Sequence, residues 1–90
     1  MAAFTYIIEC ADGTLYTGWT TDLENRIAVH NSGKGAKYTR GRGPVKLVYY
    51  EQYDNNKTAQ VRECQIKKLK RKEKEELVLQ QASIQQYDKQ

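Results

Sequence analysis

The sequence has few of the residues that build disulfide frameworks, metal clusters or membrane spans. Its two cysteines, Cys10 and Cys64, are too few for a disulfide-rich scaffold and have no metal-ligand spacing. No apolar run approaches the roughly 20 residues that a membrane-spanning helix requires. The stretch MAAFTYIIECADG has no basic region before its short apolar segment, which argues against a signal peptide. We therefore expect a cytoplasmic protein whose two thiols are reduced and packed inside the fold.

Acidic residues are missing from one stretch of the chain. Between Ser32 and Lys46 there is no aspartate or glutamate, whereas the whole chain has a formal net charge of only +4. The cations of this stretch are Lys34, Lys37, Arg40, Arg42 and Lys46. The total charge is equally compatible with a mildly basic protein that binds no polyanion, but the local excess favours a polyanionic partner.

Hydrophobic patterns and turn signals predict one small α+β domain. The stretch FTYIIEC is typical of a strand, and the Asp-Gly pair after it predicts a tight hairpin turn into LYTGW. Strands are predicted over Phe4–Cys10, Leu15–Trp19 and Val45–Tyr53, and helices over Asp22–Asn31, Ala59–Lys70 and Lys72–Gln80. The order β-β-α-β-α-α predicts a three-stranded antiparallel sheet flanked by helices, in a domain over residues 1–80, with a polar tail over residues 81–90.

Three local features predict more specific geometry. Thr21 and Glu24 have the spacing of a capping box at the first helix, and Thr58 is a suitable cap for the second. Gly18 indicates either a close approach of another group to the backbone or an unusual backbone dihedral angle. Ile66 is predicted to face the core from the second helix.

Polar residues occupy positions where the first helix should be apolar. Leu23, Arg26, Ile27 and His30 share one face at helical spacing. Each polar member has a simple explanation, since an arginine stem can lie along a core and a lone inner histidine is usually a hydrogen-bonded core residue. Glu63 raises the same question on the second helix, where pairing with Arg62, Lys67 or a neighbouring helix is the simple alternative.

Two tyrosines extend this polar set. Tyr6 and Tyr16 lie on the first two predicted strands, where a cross-strand aromatic pair would be an ordinary packing device. Taken together, however, two phenols, an arginine, an imidazole and a carboxylate around one small sheet can position water, donate to phosphate oxygens and hold one hard cation.

The ordered set resembles the GIY-YIG nuclease superfamily. The motifs are FTYII, YTG, an arginine and a histidine on the following helix, and a glutamate on the next helix. The residues that carry the resemblance are Tyr6, Tyr16, Arg26, His30 and Glu63. It extends over residues 4–78 and is greatest to the small stand-alone branch, although the first motif has no glycine and Thr17 replaces an isoleucine.

The resemblance implies a metal-dependent endonuclease that hydrolyses phosphodiester bonds in DNA, with structured, damaged or single-stranded DNA as candidate substrates and repair or recombination as candidate settings. It implies that Glu63 binds a single Mg²⁺ or Mn²⁺ and that Arg26 holds the scissile phosphate. Tyr6 and Tyr16 would position or deprotonate the attacking water, with Tyr6 favoured as the base, and His30 would contact phosphate or share in proton transfer. Because the chain has no room for a separate recognition domain, a protein partner is expected to assist target choice.

The predicted loop before the third strand is interpreted as a nucleic-acid contact. Lys37, Arg40 and Arg42 are candidates for phosphate contacts and Tyr38 for stacking on a base, with a solvated loop as the alternative. The second basic run, KKLKRK at residues 67–72, is followed by glutamates and is interpreted mainly as a solvated helix face with i to i+4 ion pairs.

Two other functions are compatible with these residues. A catalytically weak or inactive nucleic-acid-binding module would keep the fold and the basic loop, and a structural protein would use its tyrosines only as core. Glu63 favours the enzyme, because a carboxylate beside a phosphate is repelled unless a cation lies between them.

Overall fold

The computed structural model describes residues 2–33 and 43–88, with side chains up to residue 81. The elements are β1 (Ala3–Glu9), β2 (Leu15–Thr20), α1 (Leu23–Asn31), β3 (Lys46–Tyr53), α2 (Asn56–Lys67) and α3 (Arg71–Asp88). This order and the single three-stranded antiparallel sheet confirm the predicted fold class. None of the helices within these ranges is long and apolar enough to cross a membrane.

β1 is the central strand of the sheet, which has the order β2-β1-β3. Its central position explains its apolar run, since Ile7 and Ile8 point to opposite faces and are both fully buried. The turn between β1 and β2 uses Gly13 at a φ of 83°, the left-handed region that favours glycine. In β3 a register shift opposite Ile7 and Ile8 marks a β-bulge.

The sheet separates the core into two layers. On one face α1 covers a cluster of Tyr6, Ile8, Cys10 and Val45, with Tyr16, Leu23 and Ile27 packed against it. On the other face α2 and α3 cover a cluster of Ile7, Tyr49 and Ile66, with Leu15, Val48, Leu69, Leu77 and Val78 packed against it. The predicted inward position of Ile66 is therefore confirmed, and the candidate catalytic tyrosines belong to the α1 layer.

Both predicted helix caps are wrong, by one residue at α1 and by three residues at α2. α1 is capped by Asp22 rather than Thr21, because the Asp22 carboxylate accepts a hydrogen bond of 3.2 Å from the backbone N–H of Asn25. α2 is capped by Asn55, whose side-chain oxygen accepts from the backbone N–H of Thr58 at 2.8 Å and from its hydroxyl at 2.9 Å. Thr58 is thus not the N-cap but the residue in the first turn of α2 that donates hydrogen bonds to it.

The ends of α2 and α3 also differ from prediction. α2 ends at Lys67, and α3 begins at Arg71 and continues to Asp88, beyond the predicted end at Gln80. No glycine or proline interrupts this segment, and its glutamines are good helix formers.

Cys10 is buried as predicted, but the prediction for Cys64 is wrong, since it is exposed. It lies about opposite the buried face of α2.

Candidate active site

Tyr6 is the centre of the candidate site, on the face of the sheet covered by α1. It lies opposite Gly18 of β2, and its side chain is fully buried. A Cβ added to Gly18 would lie 2.5 Å from Tyr6 Oη and 2.7 Å from Cζ, distances that real Cβ atoms do not show. Gly18 does not have a positive φ. Its role is therefore to leave room for the phenol, the first of the two predicted explanations.

Tyr6 forms hydrogen bonds with both polar residues of the α1 stripe. Its Oη lies 2.9 Å from His30 Nε2, and Arg26 Nε lies 3.4 Å from the same oxygen. Because an arginine Nε can only donate, Tyr6 Oη accepts from Arg26, while the direction of its hydrogen bond with His30 Nε2 is set by the tautomer of the imidazole. The polar side chains of α1 are thus connected through one phenol.

The charge states of the three groups agree with this arrangement. Burial raises the pKa of Tyr6, and the hydrogen bond from Arg26 offsets part of that rise. The hydrogen bond with Tyr6 raises the pKa of Arg26. Burial, followed by the positive charge of Arg26, lowers the pKa of His30 below its ordinary 6.5. At pH 7 the site therefore contains a neutral phenol, a neutral imidazole and a guanidinium cation.

Tyr16 lies beside this cluster without pairing directly with Tyr6. The register places Ile8 opposite Tyr16, so the two phenols are diagonal neighbours on one face. The ring of His30 contacts both, with centroids 5.4 Å from Tyr16 and 6.0 Å from Tyr6. The imidazole therefore bridges the two tyrosines.

Accessibility divides the cluster into an inner and an outer pair. Tyr6 and His30 are buried, whereas Tyr16 and Arg26 are partly exposed. His30, which is 1% exposed, is therefore a core residue of α1, whereas Arg26 reaches the surface from the same helix face. A large ligand would meet Tyr16 and Arg26 first.

Glu63 approaches the site from the other layer of the fold, on α2. Its side chain is 18% exposed and forms an ion pair with Lys67, with 3.7 Å between Oε2 and Nζ. Burial is the main cause of the raised pKa of Tyr6, and the negative charge of Glu63 also contributes to it. The pair with Lys67 was one of the predicted alternatives, but Glu63 also acts electrostatically on the tyrosine cluster.

The donor set around Glu63 restricts which metal could bind there. Across residues 2–33 and 43–88, no group of three or more histidine, cysteine, aspartate or glutamate side chains is placed to hold an ion. Structural zinc sites need four such ligands, whereas Mg²⁺ binds through one or two carboxylates and keeps several waters. The single carboxylate of Glu63 is compatible with this sparse kind of ligation.

A second polar cluster, around Glu51, was missed by the sequence analysis. Glu51 of β3 accepts hydrogen bonds from the hydroxyls of Tyr49 and Tyr53, and it accepts from Arg62 Nε at 2.9 Å and Nη2 at 3.1 Å. Arg62 immediately precedes Glu63 on α2, so this cluster fixes the helix that carries the candidate metal ligand. The alternation of Tyr49, Glu51 and Tyr53 along one strand face was the available signal.

Two other regions do not contribute described residues to the site. Lys37, Tyr38, Arg40 and Arg42 lie outside the described residues. An open depression of about 710 Å³ between α1 and β3 is lined mainly by apolar groups, together with Asp22 and Glu24. Those carboxylates would repel a phosphate, and none of the five candidate catalytic residues lines the depression.

Sequence comparison assigns the family. The family described as the GIY-YIG catalytic domain matches residues 2–76, most of the chain. The chain therefore belongs to the GIY-YIG family, a family of nuclease domains, and the resemblance of its motifs is confirmed.

Similar proteins form a more specific group within that assignment. A UPF0213 protein of Clostridium perfringens is 60% identical over 83% of this chain and 81% of its own length. A UPF0213 protein of Natronomonas pharaonis is 55% identical over 83% of this chain and 88% of its own length. The solution NMR structure of a UPF0213 protein from Bacillus halodurans is 51% identical, with a TM-score of 0.56 over 87% of this chain and 83% of that one.

Proposed function

We propose that this protein is a divalent-metal-dependent endonuclease that hydrolyses phosphodiester bonds in DNA. The observation that carries the proposal is the hydrogen-bonded cluster of Tyr6, Arg26 and His30, with Tyr16 at its accessible side. A purely structural core would have no need for a permanently charged guanidinium beside two phenols. Membership of the GIY-YIG family supports the same chemistry.

Arg26 is the residue proposed to bind the scissile phosphate. Its raised pKa, caused mainly by the hydrogen bond with Tyr6, keeps it charged at any working pH. A guanidinium has five N–H donors, so the contact with Tyr6 leaves donors for phosphate oxygens. Tyr6 thus orients Arg26, and the hydrogen bond with His30 holds the hydroxyl of Tyr6 in place.

Tyr16 is the residue proposed to contact the attacking water. The sequence argument favoured Tyr6, but Tyr6 is buried and its hydroxyl already bonds to His30 and Arg26. Tyr16 is partly exposed and interacts with Arg26, which is proposed to hold the phosphate. Tyr16 would accept a hydrogen bond from the water and so position it for attack.

Glu63 is proposed as the protein ligand of a single Mg²⁺ or Mn²⁺. Such an ion, when bound, would stabilise the charge that develops on the phosphate oxygens. Without a cation, Glu63 would repel the phosphate that Arg26 attracts. The proposal also includes a protein partner that helps the nuclease to select its target, as expected from the sequence.

Cutting of supercoiled plasmid and of a labelled branched DNA tests the proposed activity. The assay uses Mg²⁺, Mn²⁺ or EDTA, and a branched RNA of the same sequence tests the choice of nucleic acid. We expect metal-dependent cutting of DNA that falls by at least about 100-fold in Glu63→Gln and Arg26→Ala. Glu24→Gln, which removes an exposed carboxylate from α1, should cut like the wild type.

The same assay separates the alternative functions. Circular dichroism establishes that each variant is folded before its activity is compared. A wild-type protein that binds DNA at low salt without cutting it would be a binding module, and the nuclease proposal would be rejected. If the protein neither binds nor cuts DNA, the polar cluster serves packing alone.

A further inference from the structure

The α2–α3 corner, defined as residues 67–74, has a high density of positive charge. It contains six cations and one acid, Glu73, and the cations are Lys67, Lys68, Lys70, Arg71, Lys72 and Lys74. In the sequence, the run is typical of a solvated helix face. In the structure α2 ends at Lys67 and α3 begins at Arg71, so the side chains are presented around a turn between two helices.

Ion pairing accounts for only part of this charge. Lys67 pairs with Glu63 at 3.7 Å, and Arg71 pairs with Glu75 at 2.8 Å. Within the described ranges, no carboxylate forms an ion pair with Lys68, Lys70 or Lys72, and all three are exposed. Lys74, which is partly buried, also forms no ion pair with a described carboxylate, so the i to i+4 explanation fails for four of the six cations.

Helix electrostatics account for only one of the three unpaired, exposed lysines. Cations stabilise the C-terminal end of a helix and destabilise the N-terminal end. Lys68 suits the C-terminus of α2, but Lys72 lies in the first turn of α3, where its charge opposes the helix dipole. Neither an ion pair nor the helix dipole therefore explains the charge at Lys72, which is exposed and accessible to an anionic partner.

The corner is continuous with the candidate active site. Arg71 Nη2 donates a hydrogen bond of 2.8 Å to the carbonyl of Gly13, which holds the corner against the turn that leads into β2 and Tyr16. On the other side, Lys67 connects the corner with Glu63 through their ion pair. A strand bound at Tyr16 and Glu63 would therefore pass along these lysines.

We propose that the α2–α3 corner is a second nucleic-acid contact surface, where Lys68, Lys70 and Lys72 bind backbone phosphates flanking the site of cleavage. The proposal rests on the proposed function only for the choice of polyanion, because binding does not require cutting. Lysine contacts to phosphates carry no sequence information, so this surface would add affinity and register without selecting a sequence.

Binding of a fluorescent DNA duplex in EDTA, measured over a range of salt concentrations, tests the surface directly. The test variant is Lys68→Gln/Lys70→Gln, and the control is Lys57→Gln, which removes an exposed lysine that lies outside both basic regions of the chain. Lys57 lies at the other end of α2, roughly 16 Å from Lys68 at 1.5 Å per residue. Because each duplex phosphate contributes about 0.9 to the salt slope, we expect the slope to fall by about 1.8 in the test variant alone.

Three outcomes would overturn the proposal. The first is a wild-type protein that does not bind the duplex at low salt, and the second is equal binding by the test and control variants. The third is unchanged DNA binding together with loss of binding to phosphatidylserine vesicles, which would make the corner a membrane surface. Protein that binds DNA through the corner but does not cut it would reject the nuclease proposal and leave this one standing.

Discussion

Gly18 and Tyr6 function as one unit at the scale of single residues. Replacing Gly18 by alanine would place a Cβ 2.5 Å from the Tyr6 hydroxyl, which is fixed between His30 and Arg26. Overpacking of this kind costs about 1–3 kcal/mol. We therefore expect Gly18→Ala to lower the free energy of unfolding by that amount in urea denaturation, and to lower DNA cutting through displacement of Arg26.

Gly43→Ala provides the matched control for this substitution. A Cβ at Gly43 would meet no atom within 4 Å, and neither glycine has a positive φ. We expect the free energy of unfolding of this variant to stay within about 0.5 kcal/mol of the wild type, as for an ordinary surface substitution. Equal stabilities for Gly18→Ala and Gly43→Ala would show that the phenol does not need the space above Gly18.

Replacement of Thr17 is expected to have the opposite effect to Gly18→Ala, because it should stabilise the protein. Its side chain is 3% exposed, and its Oγ1 is a buried oxygen without a hydrogen-bond partner among the described residues. Removing an unsatisfied buried hydroxyl should recover about 1–2 kcal/mol, so thermal and urea unfolding of Thr17→Val should require harsher conditions. Thr5→Val should destabilise instead, since Thr5 Oγ1 donates to the carbonyl of Ala59 at 2.8 Å. Destabilisation by Thr17→Val would contradict the prediction.

Sequence periodicity could place Arg26 and His30 on one helix face, but it could not show which of them is buried. That depends on the pairing of Tyr6 with Gly18, a register set by two strands and not by the residues of α1. The partner of Arg62 was missed for a similar reason. Glu63 is its neighbour in sequence, whereas Glu51 becomes its neighbour only when α2 packs on β3.

At the scale of whole elements, the cluster of Glu51 and Arg62 fixes α2 on the sheet. Hydrogen bonds from Arg62 and the two tyrosines outweigh the effect of burial and lower the pKa of Glu51. A lowered folded-state pKa contributes stability that is present above the ordinary value of 4.5 and is lost as the pH falls through the folded-state value. The wild type should therefore lose stability as the pH falls below about 4.5.

Glu51→Gln tests this contribution. At pH 7 we expect the free energy of unfolding to fall by about 1–3 kcal/mol, because Arg62 loses its charged partner in a site where both side chains are at most 30% exposed. As the pH falls below about 4.5 and Glu51 becomes protonated in the wild type, the free energies of unfolding of wild type and variant in urea should converge. The exposed pair of Lys46 and Glu9 is the control, and Glu9→Gln should change stability by less than about 1 kcal/mol at either pH. A constant difference between wild type and Glu51→Gln across pH would contradict the prediction.

The elements themselves were easier to predict than their ends. Apolar alternation and turn residues identified all three strands and all three helices, because each pattern is local. The start of α2 was missed because Asn55 and Thr58 are both good caps, and sequence alone does not decide which one the chain uses. Nor does the run KKLKRK contain a proline or glycine to signal that α2 ends within it.

At the scale of the whole molecule, the candidate site combines two layers of the fold. Tyr6, Tyr16, Arg26 and His30 belong to the α1 layer, whereas Glu63 comes from α2 on the opposite face of the sheet. Only the motif resemblance connected Glu63 with the others, because no local pattern predicts contact across a sheet. The sheet has only three strands, and α2 packs directly on the central strand β1, so the charge of Glu63 acts on Tyr6 of that strand.

The same narrowness leaves β3 as an edge strand, and α3 protects that edge. Gln81 Oε1 accepts from the backbone N–H of Tyr50 at 2.9 Å, and its Nε2 donates to the Tyr50 carbonyl at 2.6 Å, as a neighbouring strand would. Unpaired edge groups favour pairing with another chain. We expect Gln81→Ala to lower the free energy of unfolding by about 1–2 kcal/mol, through loss of two exposed hydrogen bonds, and to increase self-association in sedimentation velocity.

Gln80→Ala is the control for this prediction. It makes the same glutamine-to-alanine change on the same helix, at a residue that is exposed. It should behave like the wild type in both measurements. Self-association of both variants would assign the effect to the surface of α3 in general, and monomeric behaviour of Gln81→Ala at high concentration would show that the edge needs no amide cover. A rise in self-association confined to Gln81→Ala would mean that one side-chain amide, 31 residues along the chain from Tyr50, protects the β3 edge from pairing with another chain. The other edge strand of the sheet, β2, carries Tyr16.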